Sequence, residues 1–298
     1  MTSGDQKRAG FVALVGMPNA GKSTLLNALV ARPLSITSPK PGTTRFPLRG
    51  VGCVDNTQIV VVDTPGLLQR PKTTLDRAMV RSALDALAEV DHILVVVDVS
   101  RPDPWKKLQN VLAEMPASQL WVVFNKIDQI HKPKLLKWAA KYQDRVSRIF
   151  MVSALHKEGT ADVWQALATQ MPEGPWLFDA QTCATLPQRL WSAEITREIL
   201  LHTLQEEIPH QLYVETERFE TGAKGALIIG QVIHVQTRGH KKIVLGKGGD
   251  KIKEVGQRAR LAIAARFKKT VHLYLHTRVT EDWMDKPAFY RMVGLPVQ

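Results

Sequence analysis

Gly16-Met17-Pro18-Asn19-Ala20-Gly21-Lys22-Ser23 is the stretch on which the reading of the fold depends. It follows the apolar run Phe11-Val12-Ala13-Leu14-Val15 and precedes Thr24-Leu25-Leu26-Asn27-Ala28-Leu29-Val30. The pattern predicts a buried strand, a glycine-bounded loop and a helix. In that setting the loop is a candidate phosphate cradle, because N–H groups of the loop and first helical turn point at an anion and glycine lets the main chain approach it. The candidate binding set is Gly16, Asn19, Ala20, Gly21, Lys22, Ser23 and Thr24. Lys22 would reach the β- and γ-phosphates of a nucleoside triphosphate, and the Ser23 hydroxyl would join the shell of a Mg²⁺ ion. A glycine-rich turn that binds nothing is the competing reading, and the rest of the chain argues against it.

The 298 residues, 44% of them hydrophobic, suffice for one large domain or two ordinary ones. Apolar runs such as Ile93 to Val97 fall far short of the about 20 residues that span a bilayer, and Met1 to Gly10 carries no secretory pattern. The expectation is a cytoplasmic protein. Cys53 and Cys183 lie far apart without a metal-binding partner motif, which argues against a zinc site or a disulfide framework. The net charge of +12 is concentrated: between Arg238 and Lys269 stand eleven Lys or Arg against Asp250 and Glu254, a local excess of +9. Such clustering is the footprint of a polyanion-binding surface.

Beyond the first helix, Ser35 to Arg45 is polar and broken by prolines, so a long loop is expected there. Within it, Thr43 or Thr44 could place a hydroxyl on Mg²⁺ and an N–H near the γ-phosphate, with Thr43 the first candidate for that ligand and for a catalytic role. Leu48 to Val54 and Gln58 to Val62 flank a short polar turn and read as a hairpin. The second strand ends in Asp63-Thr64-Pro65-Gly66, where Asp63 would hold the metal through water and Gly66 would offer its N–H to the γ-phosphate. A helix over Leu75 to Ala88, strands at Ile93 to Val97 and Leu120 to Phe124, and a helix near Trp105 to Leu112 predict a mainly parallel sheet flanked by helices. The last strand runs into Asn125-Lys126-Ile127-Asp128. The Asp128 carboxylate can accept the N1–H and 2-amino hydrogens of guanine. Adenine would leave that carboxylate unpaired, and sites of this kind discriminate by about 10⁴ or more. Lys126 would lie along the base, and Asn125 would tie this loop to the phosphate loop. A lysine-rich helix with Lys134, Lys137 and Lys141 on one face leads to the strand Ile149 to Val152, and then to Ser153 and Ala154, whose N–H groups could meet guanine O6.

In the second half, a helix is expected over Arg189 to Gln205, strands at Leu212 to Thr216 and Ala226 to His234, then a helix opened by Gly246 to Gly249 with Ile252, Val255, Ala259, Ala262 and Ile263 on one face, and a strand at Val271 to His276. A Gly-x-x-Gly turn at a helix start can clamp a single-stranded backbone. Lys241, Lys242, Lys247, Lys251 and Lys253 surround Gly246, Gly248 and Gly249, and make single-stranded RNA the expected ligand.

Phosphate loop, threonine loop, Asp-x-Pro-Gly and Asn-Lys-x-Asp, in this order, resemble the small GTPases of translation. Pro18-Asn19 and Gly42-Thr43-Thr44-Arg45 narrow the likeness to the Era and TrmE group. His240 to Lys253 is similar to the K-homology (KH) segment of the Era family, so the resemblance covers nearly the whole chain. It implies an α/β GTPase domain over residues 1–175, a linker over 176–188 and an α+β type II KH domain with a tail over 189–298. It implies a GTP-hydrolysing ribosome-assembly factor that takes GTP/GDP and Mg²⁺, binds the 3′ end of 16S rRNA and the 30S subunit, and works as a monomer. K⁺ as a further cofactor, held with the help of Asn19, and peripheral contact with the inner face of the cell membrane belong to the same expectation. Leu67 stands where related GTPases of another branch place a catalytic glutamine, so Lys22, Asn19, Thr43 and Gly66 are left as the catalytic set. The chain departs from the family in two places. Ala184-Thr185-Leu186-Pro187 replaces an Asp-Arg-Ser signature in the connector, and Gly248 replaces a commonly basic residue. Competing readings are an RNA-binding protein that uses GTP with little hydrolysis and a tRNA-modifying GTPase. The second would carry a reactive cysteine near its C-terminus, where this sequence reads Gly294-Leu295-Pro296-Val297-Gln298. A tandem GTPase would need a second phosphate loop, which the sequence lacks.

Overall fold

The structure, a computed structural model, describes residues 6–38, 40, 42–67, 71, 73–101, 113, 115–204 and 208–296. The helix expected near Trp105 to Leu112 lies outside these. The chain divides into two compact units, Met1–Thr185 with Gly294–Gln298, and Leu186–Val293.

In the first unit, β1 (Arg8–Val15), β2 (Leu48–Val54), β3 (Thr57–Asp63), β4 (His92–Asp98), β5 (Leu120–Asn125) and β6 (Arg148–Val152) form one sheet in the order β2-β3-β1-β4-β5-β6. Only the β2–β3 pair is antiparallel. The central strands carry continuous apolar runs because helices cover both faces; Val12 to Leu14, Ile59 to Val61 and Ile93 to Val95 are fully buried. The helices are α1 (Lys22–Leu29), α2 (Thr74–Asp85), α3 (Lys132–Tyr142) and α4 (Thr160–Gln170). A capping box starts α2: the Thr73 hydroxyl accepts from Asp76 N, and the Asp76 carboxylate accepts from Thr73 N, both at 3.0 Å. On α3, Leu135 and Tyr142 are buried and pack with Phe124 in the core beneath β5.

Gly50 and Gly52 let α1 and α4 close on β2, since a Cβ at Gly52 would lie 2.7 Å from the Trp164 ring. The stretch after α4 is tied to the sheet. Gln58 donates to Phe178 O at 2.8 Å and accepts from the N–H groups of Leu177 and Phe178 at 2.9 Å. Val51 N donates to Cys183 O at 2.9 Å, and Ala184 bridges Gly50 at the sheet edge. Part of the expected polar connector therefore caps an otherwise open edge strand.

The second unit holds a three-stranded sheet, β7 (Leu212–Thr221), β8 (Leu227–Val235) and β9 (Val271–Val279), with β7–β8 antiparallel and β8–β9 parallel. Helices α5 (Gln188–Thr203), α6 (Arg238–Leu245) and α7 (Asp250–Phe267) belong to the same unit, with Ala193, Leu200, Val244, Val255 and Ile263 in its two apolar clusters. Gln231 is fully buried on β8 and fixes α5, its amide shared between Thr216 Oγ1 and Ser192 Oγ and its carbonyl accepting from Thr196 Oγ1 at 2.6 Å. Two helices go beyond the sequence reading: α6, and α8 (Pro287–Val293). β7 also runs on past Thr216, because a bulge between Thr216 and Arg218 resets its register.

Candidate functional site

The first cluster lies where β1 and β3 end and α1 begins. Gly21 precedes α1 at φ +95°, and a Cβ there would stand 2.1 Å from Asn125 Nδ2, so both conformation and space demand glycine. No side chain caps α1, which leaves the N–H groups of its first turn, starting at Lys22, Ser23 and Thr24, open to an anion. Lys22 is buried and its Nζ donates to Gly16 O at 3.1 Å and Met17 O at 3.2 Å. Burial lowers its pKa to about 8, against the pull of the Asp63 carboxylate. Asn19 holds a left-handed conformation at φ +63° within the same loop.

Asp63 is fully buried at the end of β3. Its Oδ2 accepts from Ser23 Oγ at 2.6 Å, Ser35 Oγ at 2.8 Å and Thr44 Oγ1 at 3.3 Å. Burial raises its pKa, with Lys22 and the three hydroxyls opposing. Asp63 Oδ1 is buried without a hydrogen-bond partner. An orphaned carboxylate oxygen beside two hydroxyls 2.9 Å apart, Ser23 Oγ and Thr44 Oγ1, suits a hard cation that keeps waters and phosphate oxygens in its shell, as Mg²⁺ does. Of the two candidates the sequence left open for the loop ligand, Thr43 and Thr44, it is Thr44 whose hydroxyl lies beside Ser23. Thr43, the first named, turns its hydroxyl away to donate to Lys40 O at 2.6 Å. Gly66 packs on the phosphate loop so tightly that a Cβ would meet Pro18 N at 2.8 Å. The next residue, Leu67, donates its N–H to Gly16 O and buries its side chain among Val15, Ala83 and Val95.

The second cluster is built by the ends of β4, β5 and β6. Asn125 Nδ2 donates to Ala20 O at 2.8 Å, while its Oδ1 accepts from Ala154 N at 3.0 Å. One buried amide thus joins the phosphate loop to the Ser153-Ala154 loop. Ser153 Oγ donates to Asp128 Oδ1 at 2.6 Å. Lys126, at φ +67°, pairs its Nζ with Asp98 Oδ2 at 2.6 Å. Asp98 was not among the residues the sequence singled out. It is buried, lies in register with Asn125, and its other oxygen accepts from Ser100 N at 3.0 Å. An acidic residue ending the apolar strand His92–Asp98 was the available signal.

The third candidate is the α6–α7 turn of the second unit. Thr237 Oγ1 accepts from His240 N at 3.1 Å and starts α6. Gly246, Gly248 and Gly249 follow at φ +75°, +63° and +85°. A Cβ at Gly246 would stand 2.6 Å from that of Lys251, whereas Gly248 and Gly249 face open space. That space admits a nucleic-acid backbone. Lys242, Lys247 and Lys253 are exposed around the turn, Lys241 and Lys251 partly buried. Ile243, 42% exposed on α6, adds an apolar contact that charge counting missed.

A family model described as a 50S ribosome-binding GTPase matches residues 11–126, and a KH-domain model matches residues 207–284. The chain is 43% identical to the GTPase Era of Brucella suis biovar 1 (strain 1330) over 99% of this chain and 95% of that protein, and 42% identical to the GTPase Era of Sinorhizobium medicae (strain WSM419) over 97% and 94%. Two solved structures superpose at a TM-score of 0.89 with 34% identity. One is an Aquifex aeolicus Era variant bound to GDP·AlF4⁻, covering 96% of this chain and 99% of its own. The other is Era in complex with MgGDPNP and nucleotides 1506–1542 of 16S ribosomal RNA, covering 97% and 99%.

Proposed function

Since the chain belongs to the Era family of GTPases, we infer that it hydrolyses GTP with Mg²⁺ and binds 16S ribosomal RNA in the assembly of the small ribosomal subunit. The observation that carries the reading is Asn125, whose single amide holds the phosphate loop at Ala20 and the base-side loop at Ala154. A nucleotide spanning these loops would have its phosphates and its base placed by one rigid connection.

In this assignment Lys22 turns from the loop carbonyls toward the β- and γ-phosphates, and N–H groups from Gly16 and Asn19 to Thr24 line the anion. Ser23, Thr44 and Asp63 hold Mg²⁺, which supplies charge neutralisation at the γ-phosphate when bound. Gly66 N–H contacts the γ-phosphate, whose departure releases the Ser35 to Arg45 loop. Asp128 reads guanine N1–H and the 2-amino group, its geometry set by Ser153, while the Ala154 N–H is taken by Asn125 Oδ1 and fixes the base-side loop. Lys126 flanks the base. Leu67, buried and apolar, has no means of orienting water by hydrogen bonding. A K⁺ ion that Asn19 would help hold would supply additional charge neutralisation at the phosphates. Hydrolysis should run faster in KCl than in NaCl at equal ionic strength, and Asn19→Ala should erase most of the difference; equal rates for the parent protein would remove K⁺ from the mechanism.

The second unit supplies RNA binding through Gly246 to Gly249, with Lys241, Lys242, Lys247, Lys251 and Lys253 neutralising phosphates. Family membership supports the 3′ end of 16S rRNA as the target and the 30S subunit as the particle acted on. Among the described residues no helix is long and apolar enough to cross a membrane. We place the protein in the cytoplasm as a monomer, with peripheral contact at the inner membrane face as an extension of that reading. Binding of a 3′-end 16S RNA fragment, compared with a scrambled one over several salt concentrations, tests the RNA assignment.

A further inference from the structure

We propose that the far end of α7 carries a second phosphate-binding station for the same RNA, a recess bounded by Arg260, Lys268 and Lys269. The inference rests on the RNA-binding reading of this unit and adds to it a site remote from the glycine turn.

The recess measures about 440 Å³ and lies between the exposed side of α7 and the chain entering β9, lined by Arg260, Leu261, Ala264, Lys268, Lys269, Thr270 and Val271. The cations of this helix end fall into two groups. Arg258 pairs with Glu254 at 3.3 Å and Arg266 lies over the Trp191 ring at 4.9 Å, so both have structural partners. Arg260, Lys268 and Lys269, by contrast, make no ion pair among the described residues. From Val255 to Thr280 the sequence holds six Lys or Arg and no Asp or Glu, so nothing in this segment competes for them. A lysine at a helix C-terminus is explained ordinarily by the helix dipole, and that suffices for Lys268. It does not reach Arg260, two turns earlier, because the dipole effect fades within the last turn.

Three unpaired cations around a concavity with an apolar wall of Leu261, Ala264 and Val271 suit a phosphodiester with its sugar against the wall. Leu261 is 56% exposed and forms the uncovered part of that wall, while Val271 is buried. The glycine turn sits at the start of the same 18-residue helix; at 1.5 Å per residue Arg260 lies about 15 Å along it and Lys268 about 27 Å. A KH clamp holds four nucleotides. An RNA occupying both ends of α7 must therefore be longer than the clamped segment, and its register on the turn would be fixed by the distant station.

The test pairs two RNAs with two variants of the full chain. Lys268→Gln with Lys269→Gln, and separately Arg260→Gln, are titrated with a 37-nucleotide RNA from the 3′ end of 16S rRNA and with a six-nucleotide piece matched to the glycine turn. For the long RNA we expect the double variant to lose about tenfold in affinity and to flatten the salt slope by about 0.7 for each phosphate it no longer neutralises. Affinity for the short RNA should be unchanged, which also shows that the unit is folded. An unchanged long-RNA affinity and slope would overturn the proposal while leaving the glycine-turn reading intact. Equal losses with both RNAs would overturn it too, since the cations would then act on the clamp or the fold. Loss of binding to phosphatidylglycerol vesicles with RNA affinity unaltered would reassign the recess to a lipid surface. If the parent binds neither RNA, and Gly249→Asp therefore changes nothing, the RNA reading falls and takes this inference with it.

Discussion

Single side chains carry the clearest chemical consequences. Asp128→Asn should move nucleotide preference from guanine to xanthine, because a 2-oxo group requires a donor where the 2-amino group required an acceptor. Titration with GTP and XTP checks this, and unchanged GTP affinity would take Asp128 out of the base site. Thr44→Ala should slow Mg²⁺-dependent hydrolysis by about tenfold or more, or roughly 1.4 kcal/mol of barrier, with a smaller effect for Thr43→Ala. Equal rates for the two variants would contradict the placement of Thr44 beside Ser23. Lys22 adds a pH signature. Its pKa of about 8, below the ordinary 10.5, means that the empty folded protein sheds this proton before the unfolded chain does. Burial of the charged lysine thus costs stability below pH 8, and the cost is relieved as pH rises from about 8 to 10.5. A bound diphosphate favours the charged form and reverses the shift. Binding of GDP in EDTA at pH 8.5 should therefore take up a proton, and at pH 6.5 should take up almost none; calorimetry in buffers of different ionisation enthalpy reads the difference. EDTA keeps Mg²⁺, and any proton it displaces from Asp63, out of the measurement.

Local elements decide how much of this was legible in the sequence. The phosphate loop was readable because its neighbours, an apolar run and an apolar-periodic run, fix strand and helix on either side of it. Asn125-Lys126-Ile127-Asp128 was readable for the same reason, at the end of an apolar strand. Thr43 and Thr44 were not separable, since adjacent identical residues differ only in which way the loop turns them. Asp98 escaped because its partner Lys126 is 28 residues away, and only the parallel pairing of β4 with β5 brings them together. Helix α6 was hidden by Gly239 and by its lysines, although Thr237 at its start is a good cap. Gly249→Asp belongs to this scale. It places a Cβ at φ +85° and a negative charge in the turn, so RNA affinity should collapse while GTP affinity stays the same. Parent-like RNA binding by that variant would remove the turn as the clamp. In the other unit, Thr73→Ala should cost about 1 kcal/mol in urea unfolding by removing the capping box of α2.

At the scale of the whole molecule, two units carry two chemistries, a nucleotide site assembled from strand ends and a polyanion surface concentrated on α6, the glycine turn and α7. Most of the +12 net charge sits in that second surface, and the first unit keeps its key charges, Lys22 with Asp63 and Lys126 with Asp98, internally balanced. The division explains why variants in one unit are expected to leave the other's ligand affinity alone. It leaves one question that separates an enzyme from a nucleotide-dependent RNA binder, and Leu67 makes that question sharp. Single-turnover hydrolysis, with protein in excess over GTP and Mg²⁺ and KCl present, measured with and without the 3′-end 16S RNA, answers it most directly. The account predicts conversion of bound GTP to GDP and phosphate, lost in Lys22→Ala and slowed in Thr44→Ala. GTP that stays intact on the parent protein, with RNA or without it, would contradict the account and leave a protein that binds RNA and uses GTP only as a structural ligand.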